Sequence, residues 1–248
     1  MNICNFRRIF RRRPPLLPLL AVAVAAAFST PAAAQETAQE EAFRAYILAH
    51  PEVIVESLER YRAGQMAQQA AREKQAAIAL VQTVRGAPDF PAAGTPGGVP
   101  LVEFFDYQCG YCKRVLPQIA ALTAPDSGVE VIFIEFPILG PESVVAARAA
   151  LAAHRQGRYT DFHTALMGRR GQLSEAAVLE TARSLGLDMD RLARDMEDPA
   201  VAARIDANRR LADTLEIQGT PALIIGETLV RGAIPADEMA ALLDAAGR

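Results

Sequence analysis

The sequence has 248 residues, of which 51% are hydrophobic and 22% charged. Five of its 26 basic residues fall in positions 1–34, so the remainder carries 21 basic against 29 acidic residues, a net charge of −8. Such a surface repels nucleic acid and anionic lipid, which excludes both as partners of choice, while the length suffices for one substantial core with an appendage.

Residues 1–34 read as an export address. Arg7, Arg8, Arg11, Arg12 and Arg13 form a basic start, 16–28 form an apolar run, and Ala32-Ala33-Ala34 offers a small-residue cleavage site before Gln35. The run is shorter than the roughly 20 residues a membrane anchor needs. The expectation is therefore a periplasmic, exported and soluble chain beginning near Gln35, with an uncleaved anchor as the alternative. Cys4 belongs to this leader and not to its cleavage site.

From 36 to about 85 the chain is poor in glycine and rich in Ala, Gln, Glu and Arg, which favours helix. Phe43, Tyr46 and Ile47 share a face, His50-Pro51 interrupts, and Ile54, Leu58 and Tyr61 resume the stripe. Gln65, Gln68, Arg72 and Gln75 then continue the spacing with polar side chains, so the stripe fades. Residues 51–85 as one helix would extend about 52 Å, too far to be buried throughout against one domain. Residues 86–100, rich in Gly and Pro, read as a linker with a short edge strand around 87–90.

Beyond the linker, 101–105 and 129–136 are apolar strand candidates, separated by a helix running from Cys109 to about Thr123. Residues 141–215 are helical, with breaks near Gly157, 168–171, Gly186 and Pro199, and with Ser174 suited to cap one helix. Residues 222–225 and 228–230 flank Gly226-Glu227 as a hairpin, and 234–246 close the chain as a helix with Pro235 in its first turn. The predicted class is α/β: strand, helix, strand, a helical insertion at about 141–215, hairpin and helix, occupying 87–248 behind a helical segment at 35–86.

After the leader, the only cysteines are those of Cys109-Gly110-Tyr111-Cys112. A bridge across two residues closes almost no loop and stabilises little, so the pair points to chemistry. Cys109 sits between a predicted strand and a predicted helix, where unpaired N–H groups and the helix dipole favour a thiolate, with an expected pKa of roughly 3.5–7.5. It is the predicted nucleophile. Cys112, one turn on, is placed to resolve the mixed disulfide. The competing reading, half a zinc site, needs two further ligands, and His50, His154 and His163 have no ligand spacing. No metal and no cofactor beyond a redox-active Cys109–Cys112 disulfide is expected. His154 and His163 are read as surface or packing residues, and Phe105, Tyr107 and Tyr111 as candidates for an apolar rim, with core packing the commoner fate for Phe105.

Residues 101–113, Leu-Val-Glu-Phe-Phe-Asp-Tyr-Gln-Cys-Gly-Tyr-Cys-Lys, resemble the active-site segment of the DsbA-like thioredoxin-fold proteins, and Gly219-Thr220-Pro221-Ala222 resembles their cis-proline loop. The resemblance covers 100–248 and implies a thioredoxin fold with the helical insertion. Residues 43–54 resemble the N-terminal segment of the ScsC-like members. The resemblance implies that Glu103 is the buried acid near Cys112, which a desolvated strand position would suit for proton transfer; an outward-facing Glu103 is the alternative. It also implies a cis Thr220-Pro221 bond presenting backbone groups to an extended substrate, against an ordinary trans proline.

Gly110 and Tyr111, which tune redox poise, together with Thr220, resemble the isomerase DsbC more than the oxidase DsbA. The functional expectation is a thiol–disulfide oxidoreductase acting on unfolded or misoxidised secreted proteins, isomerase or reductase in preference to oxidase, with a membrane redox partner. The alternative is a Cu(I)-binding protein using the same two thiolates; no methionine or histidine cluster near Cys109 supports a dedicated carrier. The stripe in 36–85 predicts a homo-oligomer, for which the ScsC resemblance suggests a trimer; the alternative is a helix folded back on its own domain.

Overall fold

The computed structural model describes residues 32–171 and 173–248. Cys4 and residues 1–31 of the expected leader lie outside the described residues. The chain divides into two compact units, one up to Arg62 and one from Ala63 to Arg248.

In the first unit, α1 (Ala32–Ala49) ends where Pro51 follows His50, because the proline ring disfavours helical geometry at the preceding residue. The first turns of α2 (Glu52–Val84) follow directly. Phe43, Tyr46, Ile47, Leu48, Val53, Ile54, Val55, Leu58 and Tyr61 are all exposed. The polar side is held by Arg60, whose guanidinium donates to Glu56 Oε1 at 2.6 Å one turn earlier.

The second unit begins within α2. After the polar run, Ala77, Leu80, Val81 and Val84 recur at three- and four-residue spacing and are buried. They pack in one cluster with Phe90, Val102, Phe104, Ile132, Ile134, Ala222 and Ile224, so the end of α2 is part of this core and lies ahead of the compositional break at residue 86. The short edge strand is β1 (Ala92–Gly94), displaced from 87–90. Pro88 and Pro91 lack the N–H a ladder needs, and Phe90 is buried in the core instead.

The sheet has the order β1, β3 (Val129–Glu135), β2 (Val99–Phe105), β4 (Ala222–Ile225), β5 (Thr228–Arg231). β2 and β3 are parallel, joined through α3 (Gly110–Leu122), while β4 and β5 form the antiparallel hairpin. Both faces are covered, which explains why β2 and β3 are apolar at almost every position and do not alternate. Leu101, Phe105, Val131, Phe133, Leu223 and Ile225 face Val115 and Ile119 of α3; Val102, Phe104, Ile132 and Ile134 face α2 and Ala212, Leu215 and Ile217.

Between β3 and β4 lie α4 (Pro141–Arg155), α5 (Tyr159–Met167), α6 (Glu175–Ser184), α7 (Met189–Met196) and α8 (Pro199–Thr214). Ser174 Oγ accepts from Ala177 N at 3.2 Å, Asp188 Oδ1 from Arg191 N at 2.9 Å and Asp198 Oδ1 from Ala200 N at 2.8 Å, so the last three helices start on side-chain caps. The closing helix, α9 (Ala236–Ala245), has Pro235 as its extended cap residue and buries Met239 and Leu243. The order is the one read from the sequence: strand, helix, strand, helical insertion, hairpin, helix.

Candidate active site

The C-terminal end of β2 runs through Asp106-Tyr107-Gln108 into Cys109, which caps α3. Cys109 is extended (φ −72°, ψ 114°), and its Sγ accepts from Cys112 N at 3.4 Å. This places the sulfur on the unpaired N–H groups of the helix start. Cys109 keeps 6% of its surface exposed and Cys112 only 1%, so the first is the sulfur a substrate can reach. The two are unbridged thiols.

The Thr220–Pro221 peptide bond is cis, and Cys109 Sγ–H donates to the Thr220 carbonyl at 3.2 Å. Residues separated by more than a hundred positions thus meet at one sulfur, because β4 lies beside β2 and the loop entering β4 reaches the start of α3. Gly110 opens α3 with open space around it, while Tyr111 is exposed and carries the Arg114 guanidinium over its ring, 3.9 Å from the centroid.

Glu103 is buried in the middle of β2 on the face shared with Leu101 and Phe105, the same face as α3. It makes no hydrogen bond among the described residues, and burial holds its carboxyl up at about 8. Burial likewise pushes the Cys112 thiol up, with the Glu103 charge adding to the effect. An acid and a thiol that both resist ionisation therefore lie near enough for the Glu103 charge to act on Cys112, an arrangement suited to passing a proton between them.

Four donors converge on the buried Asp106: Gln108 N at 2.7 Å, Ser143 Oγ at 2.7 Å, Ile138 N at 2.8 Å and Leu139 N at 2.9 Å. Cys109 N in turn donates to the Asp106 carbonyl at 3.0 Å. One residue thus fixes both the approach to Cys109 and the loop between β3 and α4. Behind it, Glu135 Oε1 accepts from Tyr159 Oη at 2.8 Å and Tyr107 Oη at 3.1 Å, and Tyr107 Oη meets His163 Nδ1 at 3.3 Å. Burial pushes the Glu135 carboxyl well up and lowers His163 to about 3, so the imidazole is neutral.

Tyr107 and Phe105 do not form a rim: both are buried, because β2 is covered on this face by α3 and α5, and Tyr107 spends its hydroxyl on Glu135. His163 packs within the aromatic cluster, 4.6 Å from Phe105 and Phe133. His154 bonds the Pro88 carbonyl at 2.9 Å. Asp106 and Glu135 were not singled out by the sequence. The signal was there for Glu135, an acid closing the apolar run of β3 as Glu103 interrupts that of β2, whereas nothing local marks Asp106. Among the described residues, no group of three or more His, Cys, Asp or Glu is arranged to hold a metal.

Comparison with known proteins agrees with this geometry. Residues 100–244 match the model for the DSBA-like thioredoxin domain, and 35–68 match that for the copper resistance protein ScsC N-terminal domain. A thioredoxin-like oxidoreductase from Silicibacter pomeroyi is 43% identical, covering 66% of this chain and 95% of that one, with a TM-score of 0.62. ScsC of Proteus mirabilis in a transitional conformation is 26% identical, covering 86% of this chain and 97% of that one, with a TM-score of 0.63. A Na(+)/H(+) antiporter NhaA 1 of Salinispora arenicola is 29% identical over 60% of this chain, which spans only 23% of the antiporter; the chain covers about a quarter or less of the curated antiporters it matches.

Proposed function

The chain belongs to the family of DSBA-like thioredoxin domains, and on that premise we propose that it is an exported thiol–disulfide oxidoreductase that exchanges disulfides in secreted proteins. The observation that carries the reading is the meeting of the Cys109 sulfur with the N–H groups of α3 on one side and the cis Thr220–Pro221 loop on the other.

Cys109, as thiolate, attacks one sulfur of a substrate disulfide; that S–S bond breaks, the departing substrate sulfur takes up a proton, and a mixed disulfide forms. Cys112 then gives its proton to Glu103 in the fraction of molecules whose carboxyl, held at about 8, is ionised, and attacks Cys109 Sγ. The mixed disulfide breaks, the second substrate thiol leaves protonated, and the enzyme holds a Cys109–Cys112 disulfide; the substrate is reduced by two electrons. In isomerisation a substrate thiol displaces Cys109 before Cys112 acts, with no net redox change. Because burial holds the Cys112 thiol up, the second step needs a base, and Glu103 is the nearby group that fits. Backbone groups at Thr220 and Pro221 pair with the extended substrate.

Gly110-Tyr111 with Thr220 favours isomerase or reductase over oxidase, with a membrane redox partner restoring the dithiol. The leader at 1–34 supports a periplasmic setting. Residues 36–85 supply self-association, supported by the exposed apolar side chains from Phe43 to Tyr61 and by the match of 35–68 to the ScsC N-terminal domain; the ScsC resemblance points to a trimer. Refolding of a protein with scrambled disulfides, at catalytic concentration of the reduced chain, tests the reading: recovery of native bridges is expected, and is lost in Cys109→Ser. No recovery beyond that of free thiol overturns it. The same match of 35–68 favours a second reading, a Cu(I)-binding role for the reduced pair. A Cu(I) competition titration decides it, since absence of binding by the dithiol removes the carrier.

A further inference from the structure

Beside the cis-proline loop lies a cavity of about 520 Å³ lined by Glu73, Glu216, Gln218, Gly219, Thr220 and Arg231, among others. Its charges are not balanced. Arg231 is committed, donating to Glu73 Oε1 at 3.1 Å and to the Leu215 carbonyl at 3.1 Å. The Glu216 carboxylate is exposed and makes no hydrogen bond or ion pair among the described residues, so the lining keeps one uncompensated negative charge.

Among the described residues, Glu216 is also the non-glycine residue with positive φ, at 53°. It stands just after the Leu215 cap of α8, where glycine or asparagine is the usual occupant of a left-handed backbone. A glutamate there accepts a conformational cost to hold a charged side chain at the cavity. The position matters because the loop from Glu216 leads to Thr220, whose carbonyl touches the reactive sulfur. If an extended substrate joined to Cys109 runs along this loop, then at about 3.3 Å per residue a neighbour two or three positions from its cysteine comes towards Gln218 and Gly219, and a long side chain spans the rest. A side chain added at Gly219 would meet nothing within 4 Å, so the approach is open.

We propose that this cavity receives a cationic side chain lying within about three residues of the substrate cysteine, and that Glu216 is the residue that selects it. The proposal rests on the disulfide-exchange reading and names the class of client that site prefers: cysteines in lysine- or arginine-bearing segments. Glu73 and Arg231 form the fixed wall, and Glu216 the discriminating charge.

The test uses the full chain and peptides bearing a disulfide, identical except for Lys, Gln or Asp at each of the three positions flanking the cysteine on either side. On one side the Lys peptide should have a KM about two- to fivefold lower than the Asp peptide, the effect of one exposed ion pair, with kcat nearly equal. The ratio should shrink towards one in about 1 M salt. In Glu216→Gln and in Glu216→Asn, which suits the left-handed backbone better, the Lys-to-Asp ratio should collapse even at low salt. A wild-type ratio of one at every position, or a ratio unchanged in both variants, overturns the proposal. Failure of the wild-type chain to exchange with bis(2-hydroxyethyl) disulfide would instead overturn the exchange reading itself.

Discussion

At Cys112 and Glu103 burial decides behaviour, and it does so measurably. Cys109, the less buried of the two thiols at 6% against 1%, should be alkylated by iodoacetamide at about pH 8 while Cys112, whose thiol is pushed up, stays unmodified. Peptide mapping checks this, and comparable labelling of both would reverse the roles. For Glu103 the sign is fixed by a carboxyl at about 8 in the folded chain against about 4.5 in the unfolded one. The folded state then holds a proton that the unfolded state has released. Stability from this group is present in full below the unfolded value and falls as pH rises towards 8, by on the order of 1 kcal/mol per pH unit. Glu103→Gln removes this loss, so its Tm advantage over the parent should grow from pH 5 to 8 and level off above. The same variant should slow the Cys112 step and leave attack by Cys109 largely intact in stopped-flow measurements; equal slowing of both steps would indicate a packing defect. Both cysteines and Glu103 were legible because each is chemically out of place: thiols too close to staple a loop, an acid in an apolar run. Asp106 was not, since its four donors come from segments up to 37 residues away. Nor was the fate of Tyr107, because the end of a strand does not announce which helix covers it.

Among the elements, α2 departs most from its sequence pattern. Its polar middle reads as a fading stripe on a helix too long to be buried throughout, yet Ala77, Leu80, Val81 and Val84 restore an apolar stripe at its end and complete the core under β2 and β3. A window centred on the glutamines misses a stripe that begins two turns later. Leu80→Ala should therefore cost about 2–5 kcal/mol in denaturant unfolding of the monomeric unit, the usual range for a buried leucine, while Leu58→Ala should cost far less there. Removing residues 35–62 should leave a cooperative unfolding transition, whereas removal to residue 86 should abolish or severely lower it; equal stability of the two truncations would contradict the place of α2 in the core. The strands, α3 and the insertion were legible from apolar runs and glycine breaks. β1 shifted because two prolines could not serve a ladder and the phenylalanine between them was needed inside.

At the scale of the whole molecule, two properties are joined: a catalytic unit whose Cys109 keeps a small opening to solvent, and an N-terminal unit whose large apolar side chains are exposed. Light scattering of residues 35–248 should give a stable oligomer, and deletion of 36–62 a monomer that keeps dithiol reductase activity but loses isomerase activity, since several tethered Cys109 sites raise the effective concentration at one client. A monomeric parent would contradict that linkage. The central claim is that Cys109 attacks protein disulfides and Cys112 releases them, and it is tested most directly by trapping in cells that make the protein. Cys112→Ser should accumulate client proteins in reducible mixed disulfides on Cys109, visible as adducts on non-reducing gels, and Cys109→Ser should accumulate none. Adducts on neither variant, or on Cys109→Ser alone, would contradict the account.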